Sequence, residues 1–178
     1  MEKLENKCDI SAADVELMLS EYRKAVQRLF DSGSPDLINN SSPRHASILL
    51  EEMIRHTQSY FYAFAGRMNP EVWNVRVMAA LDAASRRGVL IRLLVERECE
   101  PLKIGIMPPT LQYAISRCPE DLIKQNIAHC AVGDGKSMRL EMDASTKTAV
   151  FAANNTELAT SVTALLTRLF NNSIPYAA

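Results

Sequence analysis

Apolar side chains recur every three or four residues through Val15, Met18, Leu19, Tyr22, Val26, Leu29 and Phe30, the stripe of an amphipathic helix. Ser11 and Asp14 stand at capping-box spacing ahead of it, and Asp31-Ser-Gly33 ends it. The turn-rich SGSPDLINNSS that follows (32–42) reads as a linker. Residues 1–42 are therefore expected to form a helical arm and linker ahead of a main domain over 43–178. The stripe suits packing against that domain, or a dimerisation or partner surface.

Ser42-Pro43 is an N-cap and first-turn pair for a second helix reaching about Gln58. The aromatic run SYFYAFA (59–65) reads as a strand. Asn69-Pro70 is expected to cap the next helix, with its stripe at Trp73, Val77, Ala80, Leu81 and Ala84; Arg86 and Arg87 suit its C-terminal end and Gly88 the residue beyond. VLIRLLVE (89–96) is mostly apolar, as a buried parallel strand should be. Four prolines between 97 and 125 break that region into short pieces, with a helix expected at 109–117. A hairpin over 126–144, a strand at 147–153 and a helix striped by Leu158, Val162, Leu165, Leu166, Leu169 and Phe170 complete the chain.

Composition narrows the functional classes. A chain of 178 residues with 47% hydrophobic and 23% charged residues is long enough to bury a core. A net charge of −1 and a pI near 6.3 give no global attraction to nucleic acid or acidic membrane. The N-terminal MEKLENKCDI lacks the apolar core of a secretory signal, and no apolar run reaches membrane-helix length. Cys8, Cys99, Cys118 and Cys130 are widely spaced and read as reduced structural thiols of a cytoplasmic protein. The three histidines show no metal-ligand spacing, so neither a metal nor a cofactor is expected.

Several phrases resemble the phospholipase D-like superfamily: ILLEEMIRHTQSYFYAFAGRM (48–68), VMAALDAASRRGVLIRLLVE (77–96) and NNTELATSVTALLTRLF (154–170), with the hairpin between the last two. The resemblance covers roughly residues 43–172. It implies an α/β fold, a mixed β-sheet flanked by helices, here with an N-terminal helical extension. It also implies a homodimer, because active members join two His-x-Lys-x4-Asp motifs across a two-fold axis and this chain holds one. In those members the histidine attacks phosphorus and the lysine steadies the phosphoryl oxygens. Aligned on Asp134-Gly135, the nucleophile position falls on Ile127, the lysine position on His129 and the aspartate on Asp134. The Gly-Ser positions fall on Glu141 and Met142, and the asparagine on Ala144. Only the aspartate matches; aligning His129 as the nucleophile instead puts Ala131 at the lysine position and Lys136 at the aspartate position, so the resemblance implies that His129 and Asp134 are the remnant of a catalytic motif.

Strand register decides what surrounds His129. A two-residue Asp134-Gly135 loop pairs Gly133 with Lys136, His129 with Leu140, Ala131 with Met138 and Ile127 with Met142. The face bearing His129 is then otherwise apolar, and Ile127, Met138, Leu140 and Met142 suit a subunit interface. A three-residue loop would instead set His129 beside Arg139 and Glu141. Lys136, Arg139, Arg86 and Arg87 are the candidate contacts for phosphate or nucleic acid. The expected function is a non-catalytic phospholipase D-like domain that oligomerises, scaffolds or regulates, with a protein partner for the N-terminal helix. The alternatives are a homodimeric phosphodiesterase or nuclease using His129, and a phosphate- or nucleic-acid-binding module without chemistry.

Overall fold

A computed structural model describes residues 11–40, 42–143 and 148–176. Helix α1 (Ala12–Ser32) starts at the expected capping box: the Ser11 side chain accepts from the Asp14 N–H, and the Asp14 carboxylate accepts in return from Ser11. Val26 is buried, and Leu19, Tyr22, Leu29 and Phe30 pack on the main core. Phe30 stacks on His56 and Tyr22 on His45, both on helix α2 (Pro43–His56). The Arg23 guanidinium bridges the buried carboxylates of Glu51 and Glu52 on α2. The stripe thus serves the chain's own core, and Leu17 and Met18 remain exposed.

The stretch expected to be a linker contains strand β1 (Leu37–Asn40), paired antiparallel with β7 (Thr148–Ala152). Turn-rich composition concealed it, since Leu37 and Ile38 are the only apolar residues in four and the strand lies at a sheet edge. Strand β2 (Tyr60–Ala65) runs parallel to β3 (Leu90–Val95), as the β-α-β pattern requires. Between them helix α3 spans Val75–Arg86 and is capped by Asn74, not by Asn69. The Asn74 side chain accepts from the N–H groups of Arg76 and Val77, whereas Asn69 Oδ1 closes a turn onto Glu71 N–H.

Region 97–125 holds α4 (Glu100–Lys103), a 3-10 turn at Pro109–Ala114, strand β4 (Ile115–Arg117) and α5 (Glu120–Ile123). The expected helix at 109–117 gives way to a 3-10 turn and a strand because Ile115 pairs with Leu93 of β3. Strands β5 (Cys130–Gly133) and β6 (Ser137–Asp143), helix α6 (Thr156–Asn171) and β8 (Ile174–Pro175) follow. The sheet order is β1-β7-β6-β5-β2-β3-β4-β8, parallel at β2-β3-β4 and antiparallel elsewhere.

Alternation divides the sheet into two faces. Phe61, Ala63, Leu93, Ala131 and Phe151 join α1, α2 and α3 in one core; Phe64, Leu94, Cys130, Val132 and Met138 join α6 in the other. Cys99, Cys118 and Cys130 are free and buried, and burial pushes the Cys130 thiol up to about 12. Cys8 lies outside the described residues, as does Ala144. No helix among the described residues is long and apolar enough to cross a membrane.

The β5–β6 hairpin departs from the two-residue register. Lys136 N–H does donate to the Gly133 carbonyl at 3.0 Å, as that loop would have it. The Lys136 carbonyl, however, accepts from Asn155 N–H at 2.8 Å, and the ladder continues as Gly133↔Ser137, Val132↔Met138 and Ala131↔Arg139. Lys136 is an extra residue, and a slip of one exchanges the faces of β6. At Gly133 a Cβ would collide with Thr57 Oγ1 and stand 2.8 Å from Ser137 Oγ. Gly133→Ala should therefore lower unfolding free energy by about 1–3 kcal/mol, read as a shift in urea midpoint with the slope unchanged.

Candidate functional site

The shifted register sets Arg139 and Glu141 on the face of the sheet that carries His129. His129 immediately precedes β5, and its carbonyl accepts from Glu141 N–H at 2.9 Å. One ring nitrogen, Nδ1, lies 3.0 Å from Glu141 Oε2, and Nε2 lies 3.1 Å from Glu96 Oε1. Glu96 follows the last residue of β3, so the bracket ties together the ends of β3, β5 and β6. Phe64 meets the imidazole edge-on at 5.3 Å. Gly66 leaves room for the ring: a Cβ there would stand 3.1 Å from His129 Cε1.

Charge in this bracket is tightly coupled. Burial pulls the His129 pKa down, but the hydrogen bond to Glu141 and the charge and hydrogen bond of Glu96 outweigh it, and the net shift is upward. The His129 contact holds the Glu141 carboxyl below its usual range against burial, with Arg139 assisting. The raised pKa favours the protonated ring, which can donate to both carboxylates at once. Burial lowers the Arg139 guanidinium pKa, opposed by Glu141, Tyr22 and Cys130.

Beside the bracket is a cavity of about 320 Å³ between the sheet and α2, bordered by the carboxyl end of β2. Space for it comes from Ala65 and Ala131 on the sheet and Ala46 on the helix. Asn40, His129, Arg139 and Glu141 supply polar groups, while Leu50, Phe64, Val72 and Trp73 supply apolar wall. A crevice outside the carboxyl ends of parallel strands is where open α/β sheets commonly bind ligands.

The other expected site residues lie elsewhere. Asp134 has φ 53° in the hairpin loop, and its carboxylate accepts from the N–H groups of Gln58 (2.7 Å), Ser59 (2.8 Å) and Tyr60 (3.0 Å). It binds the chain entering β2 to the β5–β6 loop, at the end of the strands opposite His129, and so is a structural anchor there. Lys136 is exposed in the same loop. Arg86 pairs with Asp82, and Arg87 donates to the carbonyls of Ile54, Arg55 and Thr57 at the end of α2. Of the four candidate cations, only Arg139 reaches the cavity.

The expected interface residues are likewise displaced by the register. Met138 is buried under α6, Leu140 and Ile127 pack beside that core, and Met142 is 63% exposed. They do not form a common face with His129. Sequence reasoning overlooked Glu96 and Asn40. Glu96 had one signal, an acid closing an otherwise apolar strand; Asn40 had none, lying in a segment read as linker.

No family model and no curated protein matches this sequence. Solved structures do. Nuc from Salmonella typhimurium, a phospholipase D family member, is similar with a TM-score of 0.60 and 18% identity, over 82% of this chain and 100% of that one. TrmBL2, an archaeal chromatin protein that binds DNA, has a TM-score of 0.59 and 12% identity, over 91% of this chain and 65% of its own. NucT from Helicobacter pylori has a TM-score of 0.54 and 10% identity, over 79% and 100%. The eight-stranded mixed sheet, its flanking helices and these superpositions together give the chain the fold of the phospholipase D superfamily.

Proposed function

We propose that this is a non-catalytic phospholipase D-like domain, working as an oligomerising, scaffolding or regulatory component. The observation that carries the reading is the Glu96–His129–Glu141 bracket. A nucleophilic imidazole needs a lone pair free to meet phosphorus. Here both ring nitrogens face carboxylate oxygens, and the upward pKa shift favours the doubly protonated ring. The two carboxylates are matched by His129 and Arg139, so the site offers a phosphodiester no net positive field. Among the described residues no lysine lines the cavity beside the histidine; its cation there is Arg139, whose charge Glu141 faces.

A nuclease reading draws on the fold of Nuc and NucT, and a DNA-binding reading on that of TrmBL2. Neither is favoured by the candidate cations, since Arg86, Arg87 and Lys136 do not line the cavity that Arg139 reaches and two of them are held in helix-end contacts. The deciding assay is hydrolysis of bis-p-nitrophenyl phosphate by purified protein. The expected result is no turnover above buffer, with wild type and His129→Ala indistinguishable. Turnover abolished by His129→Ala would establish the enzyme instead.

A further inference from the structure

We infer that the cavity beside His129 binds a compact, uncharged ring bearing both an amide N–H and a carbonyl, a lactam of the nucleobase kind. The inference rests on the non-catalytic reading of this site and adds a ligand to it. Its starting point is a pair of buried polar atoms that lack partners. Asn40 is 2% exposed; its Nδ2 donates to the Ser42 carbonyl at 3.3 Å, which orients the amide, and leaves Oδ1 buried without a hydrogen bond. Arg139 Nε is also buried without a partner. Both residues line the one cavity. Each unmet group costs about 1–3 kcal/mol, so a molecule offering a donor to Asn40 and an acceptor to Arg139 gains twice on entering.

Charge excludes an ion as the better occupant. The carboxylates of Glu96 and Glu141 are balanced by protonated His129 and by Arg139, which leaves little net field for either sign. A phosphate would find Arg139 but would be opposed by Glu141, and as a dianion it has no hydrogen for Asn40 Oδ1. A sugar fails for a different reason. Both His129 nitrogens are taken, Asn69 Oδ1 accepts from Glu71 N–H and Arg67 is paired with Glu100, which leaves the Ser42 hydroxyl beside Asn40 and Arg139 for a ring with many hydroxyls. Most hydroxyls of a pyranose would then lie unpaired against Leu50, Val72, Trp73 and Phe64. A lactam ring has few polar atoms and two apolar faces, which suit those walls.

Titration calorimetry of the full chain at pH 7 tests this with uracil and hypoxanthine as probes, against 1,3-dimethyluracil, glucose and inorganic phosphate. At least one of the two bases should bind saturably below about 1 mM. Dimethyluracil, which keeps the carbonyls and loses the N–H groups, should bind about tenfold more weakly or worse. Asn40→Ala and Arg139→Met should each weaken the base about tenfold, with circular dichroism checking the fold; if Arg139→Met does not fold, Asn40→Ala decides. No saturable binding of either base, equal binding of dimethyluracil, unchanged affinity in Asn40→Ala, or tighter binding of glucose or phosphate overturns the inference. The two readings fail separately: phosphodiester turnover sinks the non-catalytic reading, whereas silent calorimetry with no turnover leaves it standing.

Discussion

Asp134→Ala should be the most damaging single change at the hairpin, lowering unfolding free energy by about 3 kcal/mol or more. The carboxylate accepts three consecutive backbone N–H groups, from Gln58, Ser59 and Tyr60. Charge-assisted bonds of this kind are worth roughly 1.5–3 kcal/mol each and are not additive. Alanine would also have to hold φ 53°, a left-handed conformation it disfavours by about 1 kcal/mol. Asn and Gly separate the two contributions. Asp134→Asn keeps an acceptor at the Oδ1 position shared by Ser59 and Tyr60 and accepts the left-handed backbone, so it should be the mildest. Asp134→Gly relieves the backbone and loses every bond, and should fall between. Urea unfolding gives the ranking, and an alanine variant within 1 kcal/mol of wild type would refute the anchor.

His129 carries the second large effect, and its sign depends on pH. Removing the ring in His129→Ala leaves Glu96 and Glu141 without the cation between them, a loss of about 2–4 kcal/mol near neutral pH. In the wild type the folded pKa of His129 is raised above 6.5. Its stabilisation is fully present below about pH 6.5 and disappears as pH rises through the folded value. Glu141 has its pKa lowered from 4.5, so its share is present above about pH 4.5 and is lost as pH falls through the lowered value. The bracket should therefore stabilise most between those limits. The stability difference between wild type and His129→Gln, measured by denaturant unfolding at pH 6 and pH 9, should shrink on the alkaline side. A difference that is constant or larger at pH 9 would show that the imidazole is held neutral.

Much of the architecture was legible from periodicity alone. The capping box at Ser11, the stripe of α1, the aromatic run of β2, the apolar run of β3 and the stripe of α6 all form elements where the pattern puts them. These are local signals, set by side-chain spacing and by neighbouring caps. The elements that were misread lack such signals. Strand β1 has two apolar residues and pairs with β7, more than a hundred positions away in the chain. The α3 cap at Asn74 competes with Asn69-Pro70, and only the packing of Trp73 into the core shows which asparagine starts the helix.

The candidate site shows the same division more sharply. The residues of the hairpin contain His129, Arg139 and Glu141 together with an Asp-Gly turn that fits two registers. Taken alone, the turn favours the shorter loop, which would place the histidine among Met and Leu. The bond from Asn155 N–H to the Lys136 carbonyl diverts one residue from the ladder, and the slip brings Glu141 to His129 while sending Met138 beneath α6.

The amino-acid sequence by itself determined an alternating α/β chain of phospholipase D-like order and an aspartate suited to a turn. Those properties depend on neighbours within a few residues. Tertiary structure alone decided the face on which His129 lies, the two carboxylates that hold it, and the buried Asn40 and half-buried Arg139 of the adjoining cavity. Each of these depends on strand pairing, and pairing is settled by contacts between residues far apart in the chain, where one hydrogen bond at a loop can exchange the two faces of a strand.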